Sequence, residues 1–215
     1  MPHNPYAPPT APVDGGDEKT AFDFIDGASY SFTPKQLWWA GACCVLSVIF
    51  TPIYFYSLFT SESIPVLRDI SNVLVYLMTG VAIYVYLIFK KLLREKSKYQ
   101  AANLAISLYI LMSIISSLVA LLHNSSNASQ IDTLISVGEL LLFGSVSIYL
   151  GLQLLRCEDP LFGQRKTIAY LTLAMGITLM TVVLALLGIV LSIGLDIVMA
   201  LMFFRASHAL EKAQS

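Results

Sequence analysis

Two acidic residues, Glu139 and Asp196, stand inside long apolar runs that contain no lysine or arginine. An ionisable side chain placed in hydrocarbon costs ~2.5–3.5 kcal/mol on insertion scales, so each is a functional candidate by default. Glu139 lies eight residues past Ile131 and Asp196 eight past Gly188. If those residues mark the outer helix ends, both carboxyls sit ~12 Å down their helices. Asn72, seven residues past Pro65, falls at a comparable depth and is expected to complete a polar cluster. With no basic partner available, wholly or partly protonated carboxyls are expected. Two chemistries follow. One is a relay of protons or cations; the other is a pair of neutral carboxyls bonded to nearby serines and carbonyls, holding helices in register. The sparse polar lining visible in the sequence favours the second.

Other residue types offer less. His3, His123 and His208 are scattered, and no His/Cys/carboxylate group has ligand spacing, so neither a metal nor any cofactor is expected. Phosphate loops, nucleophile elbows and HExxH strings are absent from the sequence. Ser113, Ser116 and Ser117 lack a nearby base, and hydroxyls at that spacing usually bond back to their own helix or permit close packing. Gly144, Ser147 and Gly151 share one helix face and read as a close-packing seam. Cys43, Cys44 and Cys157 are too few for a paired framework and read as packing residues. An enzyme is not expected.

The elements that must position these groups are set by composition. Of the 215 residues, 56% are hydrophobic and only 13% charged, with a mean hydropathy of +0.71. A soluble domain carries roughly 25% charged residues. The deficit excludes a water-soluble globule, a nucleic-acid binder and a coiled coil. A net charge of −1 suggests no polyionic partner. The class that remains is all-α: a polytopic membrane bundle with a flexible tail.

Residues 1–32 form a Pro-rich, acidic tail whose first twenty residues offer almost nothing to bury. Its later aromatics, Phe22, Phe24, Tyr30 and Phe32, suit an interfacial stretch on the membrane or on the helix ends. The opening Asn4-Pro5-Tyr6-Ala7-Pro8-Pro9 resembles the tails of many small bacterial inner-membrane proteins. Thr33, Pro34 and Gln36 then spell a capping box before the first apolar run, in which Pro52 should loosen the helix. Spans are expected at Leu37–Phe59, Val73–Phe89, Ala102–Leu122 and Ile131–Leu155. The polar turn 123–130 between the last two holds sequons at Asn124 and Asn127. Thr167–Phe204 is 38 residues with almost no punctuation. As one helix it would reach ~57 Å against a ~30 Å hydrocarbon core. A turn near Leu184–Gly188 divides it, giving six spans within 33–206 and a short tail at 207–215.

Basic residues test that count. Lys19, Lys35, Lys90, Lys91, Arg94, Lys96, Lys98, Arg156, Arg165, Lys166, Arg205 and Lys212 share one side of a six-span chain, and only Arg68 lies on the other. The basic side is then cytoplasmic, with both termini, which suits a plasma membrane, as in a bacterial inner membrane. Lys90, Lys91, Arg94, Lys96 and Lys98 form an anchor able to contact anionic lipid at about 1 kcal/mol per residue. The expected partners are the bilayer and a second copy or another membrane protein, not nucleic acid. The functional expectation is an assembly, scaffold or sensory component acting by helix packing; its alternative is a small proton- or cation-coupled transporter or channel. In a background with the three native cysteines replaced, Ser126→Cys should be labelled from outside intact cells and Ser215→Cys protected. External labelling at 215 would contradict the six-span count.

Overall fold

The computed structural model describes residues 24, 30–60, 65–122, 130–181 and 184–214. The first twenty residues and the turn with Asn124 and Asn127 lie outside them. All regular structure described is helical: α1 (Pro34–Thr60), α2 (Pro65–Glu95), α3 (Asn103–Leu122), α4 (Gln130–Arg156), α5 (Arg165–Met180) and α6 (Ala185–Gln214). Four of the six, α1, α2, α4 and α6, are long and apolar enough to cross a membrane, as in an integral membrane protein. The apolar α3 has 20 residues and α5 has 16; at 1.5 Å per residue α5 reaches only ~24 Å.

Local signals account for the helix ends. The Thr33 N–H donates to Gln36 Oε1 at 3.0 Å and the Gln36 N–H to Thr33 Oγ1 at 3.2 Å, closing the capping box. Pro52 lies within α1 without ending it. Its missing N–H leaves the Val48 carbonyl without its usual donor, next to Ser47 O, which accepts from Thr51 Oγ1 at 2.8 Å. The long run Thr167–Phe204 does divide. α5 closes at Met180, the Thr181 N–H donates to Ile177 O at 3.2 Å, and α6 begins at Ala185. Gly188 is therefore helical rather than part of the turn.

The six helices form a closed ring in chain order. Each packs on the next, α6 returns to α1, and among the described residues no other helix pair brings its backbones close together. The most extensive interface is α4 on α5, and small residues make it. A Cβ added at Gly176 would stand 2.7 Å from Gly144 O and 2.8 Å from the Ile148 backbone; one at Gly151 would stand 3.0 Å from Ala169 O. Ser147 between them is fully buried. The expected seam exists.

Burial along the ring is uneven. The largest fully buried side chains, including Phe32, Phe89, Phe203, Leu92, Leu93, Leu150, Leu154 and Leu161, gather where the basic residues are. Toward the other end few of the described residues are buried, among them Thr51, Ser57, Ser71 and Leu74. The outward faces carry exposed leucines, isoleucines and aromatics on every helix, the surface a lipid-solvated ring requires. Gly176→Ala should push α4 from α5 and cost roughly 1–3 kcal/mol by overpacking. Gly138→Ala, with nothing within 4 Å of its added methyl, should be neutral or stabilising. Thermal unfolding of both variants in detergent checks the pair; equal melting points would show that the seam is not tight.

Candidate functional site

Between the helices lies a half-open cavity of about 290 Å³ to which all six contribute. On each helix one stripe faces inward. It is apolar near the basic end and changes character toward the middle. From α1 come Ser47 and Thr51; from α2 Thr79 and Tyr86; from α3 Tyr109, Ser113, Ser116 and Ser117; from α4 Phe143; from α5 Met175; from α6 Ser192 and Asp196. Sequence reasoning found Asp196 but missed this lining. Its hydroxyls are spread over several helices, so they converge only once the ring has closed.

Four of these nine hydroxyls spend their single hydrogen on the helix backbone. Thr51 donates to Ser47 O (2.8 Å), Ser113 to Tyr109 O (2.9 Å), Ser117 to Ser113 O (2.9 Å) and Ser192 to Ile189 O (2.7 Å). Thr79 and Ser117 join α2 to α3 at 2.6 Å. A hydroxyl used in this way keeps its oxygen lone pairs, so these serine and threonine oxygens present acceptors. Asp196, half-buried on α6, adds a carboxyl. The described ion pairs are Arg94–Glu95 and Lys96–Asp159, and neither involves it. Beside it Tyr86 and Tyr109 pack with ring centroids 4.4 Å apart, and Phe143 meets Tyr109 edge-on at 5.4 Å.

The three polar positions expected to cluster do not meet. Glu139 is half-buried on α4 and accepts a hydrogen bond from Ser116 Oγ (3.2 Å), while its Oε1 is buried with no partner. It touches the cavity only through Ser116, a lining residue. Ser116 is seven residues beyond Tyr109 on α3, which places Glu139 ~10 Å nearer the far end than the tyrosine beside Asp196. The two carboxyls are thus not at equal depth. α6 starts at Ala185, three residues earlier than assumed, so Asp196 lies deeper. Asn72 continues the inward stripe of Val75, Thr79 and Tyr86, but it stands fourteen residues from Tyr86, is half-buried and is not part of the cavity wall.

The cavity shares Thr51, Thr79, Tyr109 and Ser192 with an adjoining space of about 390 Å³. Tyr54, Phe55, Leu140, Leu179 and Ile189 line that space, farther from the basic end. Below Asp196 the interior is blocked. Phe89 and Phe203 meet across the ring at 6.5 Å. Phe24, Tyr30 and Phe32, from the stretch before α1, pack on one another over the helix ends, and Phe24 reaches Phe162. Ser31 donates through its N–H (2.7 Å) and its hydroxyl to the Glu95 carboxylate.

The α4–α5 connection completes this plug. Leu161, Phe162 and Gly163 have φ of 48°, 56° and 80°, a left-handed run costing roughly 1–2 kcal/mol for each residue with a side chain. Leu161 and Phe162 are nonetheless buried. Asp159 holds the turn: Oδ1 accepts from the Leu161 N–H at 2.7 Å, and Lys96 Nζ binds Oδ2 at 2.9 Å while lying 4.6 Å from the centre of the Phe162 ring. Arg205 donates to Phe162 O at 3.2 Å, and Arg165 donates to Cys157 O. Burial pushes the Cys157 thiol above its ordinary value, as suits a packing cysteine. Here the structure amends the lipid-anchor reading. The Lys96 side chain is only 6% exposed and is a structural cation, and Lys90 donates to Ser107 Oγ at 2.7 Å. Arg94 and Lys98 are exposed and Lys91 is half-exposed; these three remain open to headgroups.

Comparison with protein-family models, with curated proteins and with solved structures finds no match. The chemistry must be argued from the cavity itself. Lys96→Met should cost roughly 3 kcal/mol, because it strands the Asp159 charge in the plug. Arg94→Met, whose side chain is largely exposed, should cost under about 1 kcal/mol. Denaturant unfolding of the two variants measures the difference, and equal losses would show that the Lys96–Asp159 pair is not what holds the turn.

Proposed function

We propose that this chain is a non-enzymatic membrane carrier that moves a small cation or a proton through the cavity containing Asp196. The observation that carries the reading is a pocket to which all six helices contribute, with Asp196 and several hydroxyls set in its otherwise apolar wall. A protein acting by helix packing alone has no use for such a void, because empty space forfeits dispersion contacts. A carrier requires one. The transport alternative is thus favoured over the assembly role that the sequence suggested. Ser113, Ser117 and Ser192 donate to backbone carbonyls, which argues against nucleophilic catalysis by them.

In this reading all six helices span the membrane, with α5 accommodated by local bilayer thinning. The basic end, with both termini, faces the cytoplasm of a bacterial cell, and the membrane is the plasma membrane. The plug then closes the cytoplasmic side while the cavity extends toward the opposite face. Transport would alternate this arrangement with one in which the plug parts, and the strained turn at Leu161–Gly163 is suited to storing energy for that exchange. Titratable groups near Asp196 are Cys44 on α1, Tyr86 on α2 and Tyr109 on α3, with Glu139 of α4 behind Ser116. Among the described residues no titratable group of α5 lines the wall, and Asp196 is its carboxyl.

Purified protein in sealed liposomes should dissipate an imposed proton or sodium gradient faster than empty liposomes do. Asp196→Asn should fold yet fall to the empty-liposome rate, and Glu139→Gln should retain most of the flux. Flux unchanged in Asp196→Asn, or none in the parent protein, would overturn the proposal.

A further inference from the structure

From the way the cavity is lined we infer that it takes a protonated organic amine, with the ammonium beside Asp196 and a compact apolar body toward α4 and α5. The inference rests on the carrier reading and names its substrate class. Three features of the wall converge on it.

The first is charge. Among the described residues the wall holds a carboxyl and no lysine or arginine, so an entering cation is the partner that favours its ionised form. The second is hydrogen-bond polarity. Ser192, one helical turn from Asp196, and Thr51 on α1 have given their hydrogens to carbonyls and offer acceptor oxygens, which match the N–H donors of an ammonium. The third is the aromatic group. Tyr86, Tyr109 and Phe143 pack together beside Asp196, and ring faces attract an organic cation. A bare metal ion would make little use of these rings. Among the described residues no group of three or more His, Cys, Asp and Glu could hold one.

Size and lining define the rest of the ligand. A space of about 290 Å³ lies at the lower end of ligand-pocket volumes, which suits a small molecule and exceeds the need of a lone ion. The adjoining space is lined largely by apolar side chains, among them Phe55, Leu140, Leu179 and Ile189. Asp196 and Ile189 are seven residues apart on α6, ~10 Å along the axis. A molecule with an ammonium at one end and a phenyl-sized group at the other spans that distance.

The test is equilibrium binding to the purified full-length protein in nanodiscs, with 2-phenylethylamine as the probe. Its uncharged carbon analogue propylbenzene and sodium chloride serve as comparators. Saturable binding of the amine is expected, with at least tenfold weaker binding of propylbenzene and no competition by sodium beyond ionic-strength controls. Asp196→Asn should weaken the amine by tenfold or more, and Tyr109→Leu by severalfold, while Glu139→Gln leaves it unchanged. If Asp196→Asn does not fold, the amine-to-propylbenzene ratio on the parent protein still decides. Equal binding of the two probes would overturn the inference in favour of a merely greasy cavity, and specific displacement by sodium would overturn it in favour of an alkali-ion site. Failure of the two readings is distinguishable: amine binding with neither proton or sodium flux nor uptake of the amine into the liposomes removes the carrier and keeps the ligand class. Proton or sodium flux without amine binding does the reverse.

Discussion

A carboxyl placed among apolar helices must be neutralised, hydrated or paired, and among the described residues Asp196 has no basic side chain with which to pair. Desolvating an unpaired charge costs several kcal/mol even after relaxation. The bundle meets this constraint by surrounding the position with hydroxyls and leaving room beside it rather than packing it tightly. Thr51, Ser113, Ser117 and Ser192 would destabilise a dry core if their hydrogens were unspent, but each donates to a carbonyl of its own helix. The result is an interior that tolerates water or a cation and resists an anion.

Keeping such a space open inside a ring demands rigidity elsewhere. The α4–α5 seam at Gly144, Gly151 and Gly176 brings two backbones to near contact. α1 is fastened to α6 by Ser207 Oγ donating to Pro34 O at 2.8 Å and to α2 by Tyr84 OH donating to Gln36 O at 3.2 Å. The plug of phenylalanines and leucines joins the helices at the basic end, where the Lys96–Asp159 pair fixes the left-handed turn. The interfaces of α3 with α2 and α4 are the sparsest in the ring. A bundle tight at one end and along one seam, and loose around α3, has the mechanical asymmetry that rocking or gating motions use.

Much of the scaffold was legible in the sequence because it depends on local rules. The Thr33–Gln36 box, the division of Thr167–Phe204 and the Gly144–Gly151 face follow from capping, helix length and side-chain size, each confined to one segment. The site was only half legible. Asp196 announced itself by its cost in an apolar run, but its surroundings depend on how six stripes meet, which no single stripe encodes. Depth counted from inferred helix ends misplaced Asp196, since an error of three residues at the start of α6 moves its side chain by ~4.5 Å. Lys96 misled for a related reason. In the sequence it is one of five basic residues in a row of anchors; only the fold brings Asp159 and Phe162 to it.

The central claim is that a hydrated space reaches Asp196 from the end opposite the plug. Cysteine accessibility tests it most directly, in a variant whose native Cys43, Cys44 and Cys157 have been replaced. Ser192→Cys puts a thiol on the cavity wall, and Ile197→Cys puts one on the exposed, lipid-facing side of the same helix. A small, charged, membrane-impermeant methanethiosulfonate added from outside should modify the cysteine at 192 and leave the one at 197 unmodified, since a thiol ionises and reacts only where water reaches it. A cysteine at 192 that stays unmodified by reagent from either side would mean that the cavity is dry, and the account of Asp196 as a transport site would be contradicted.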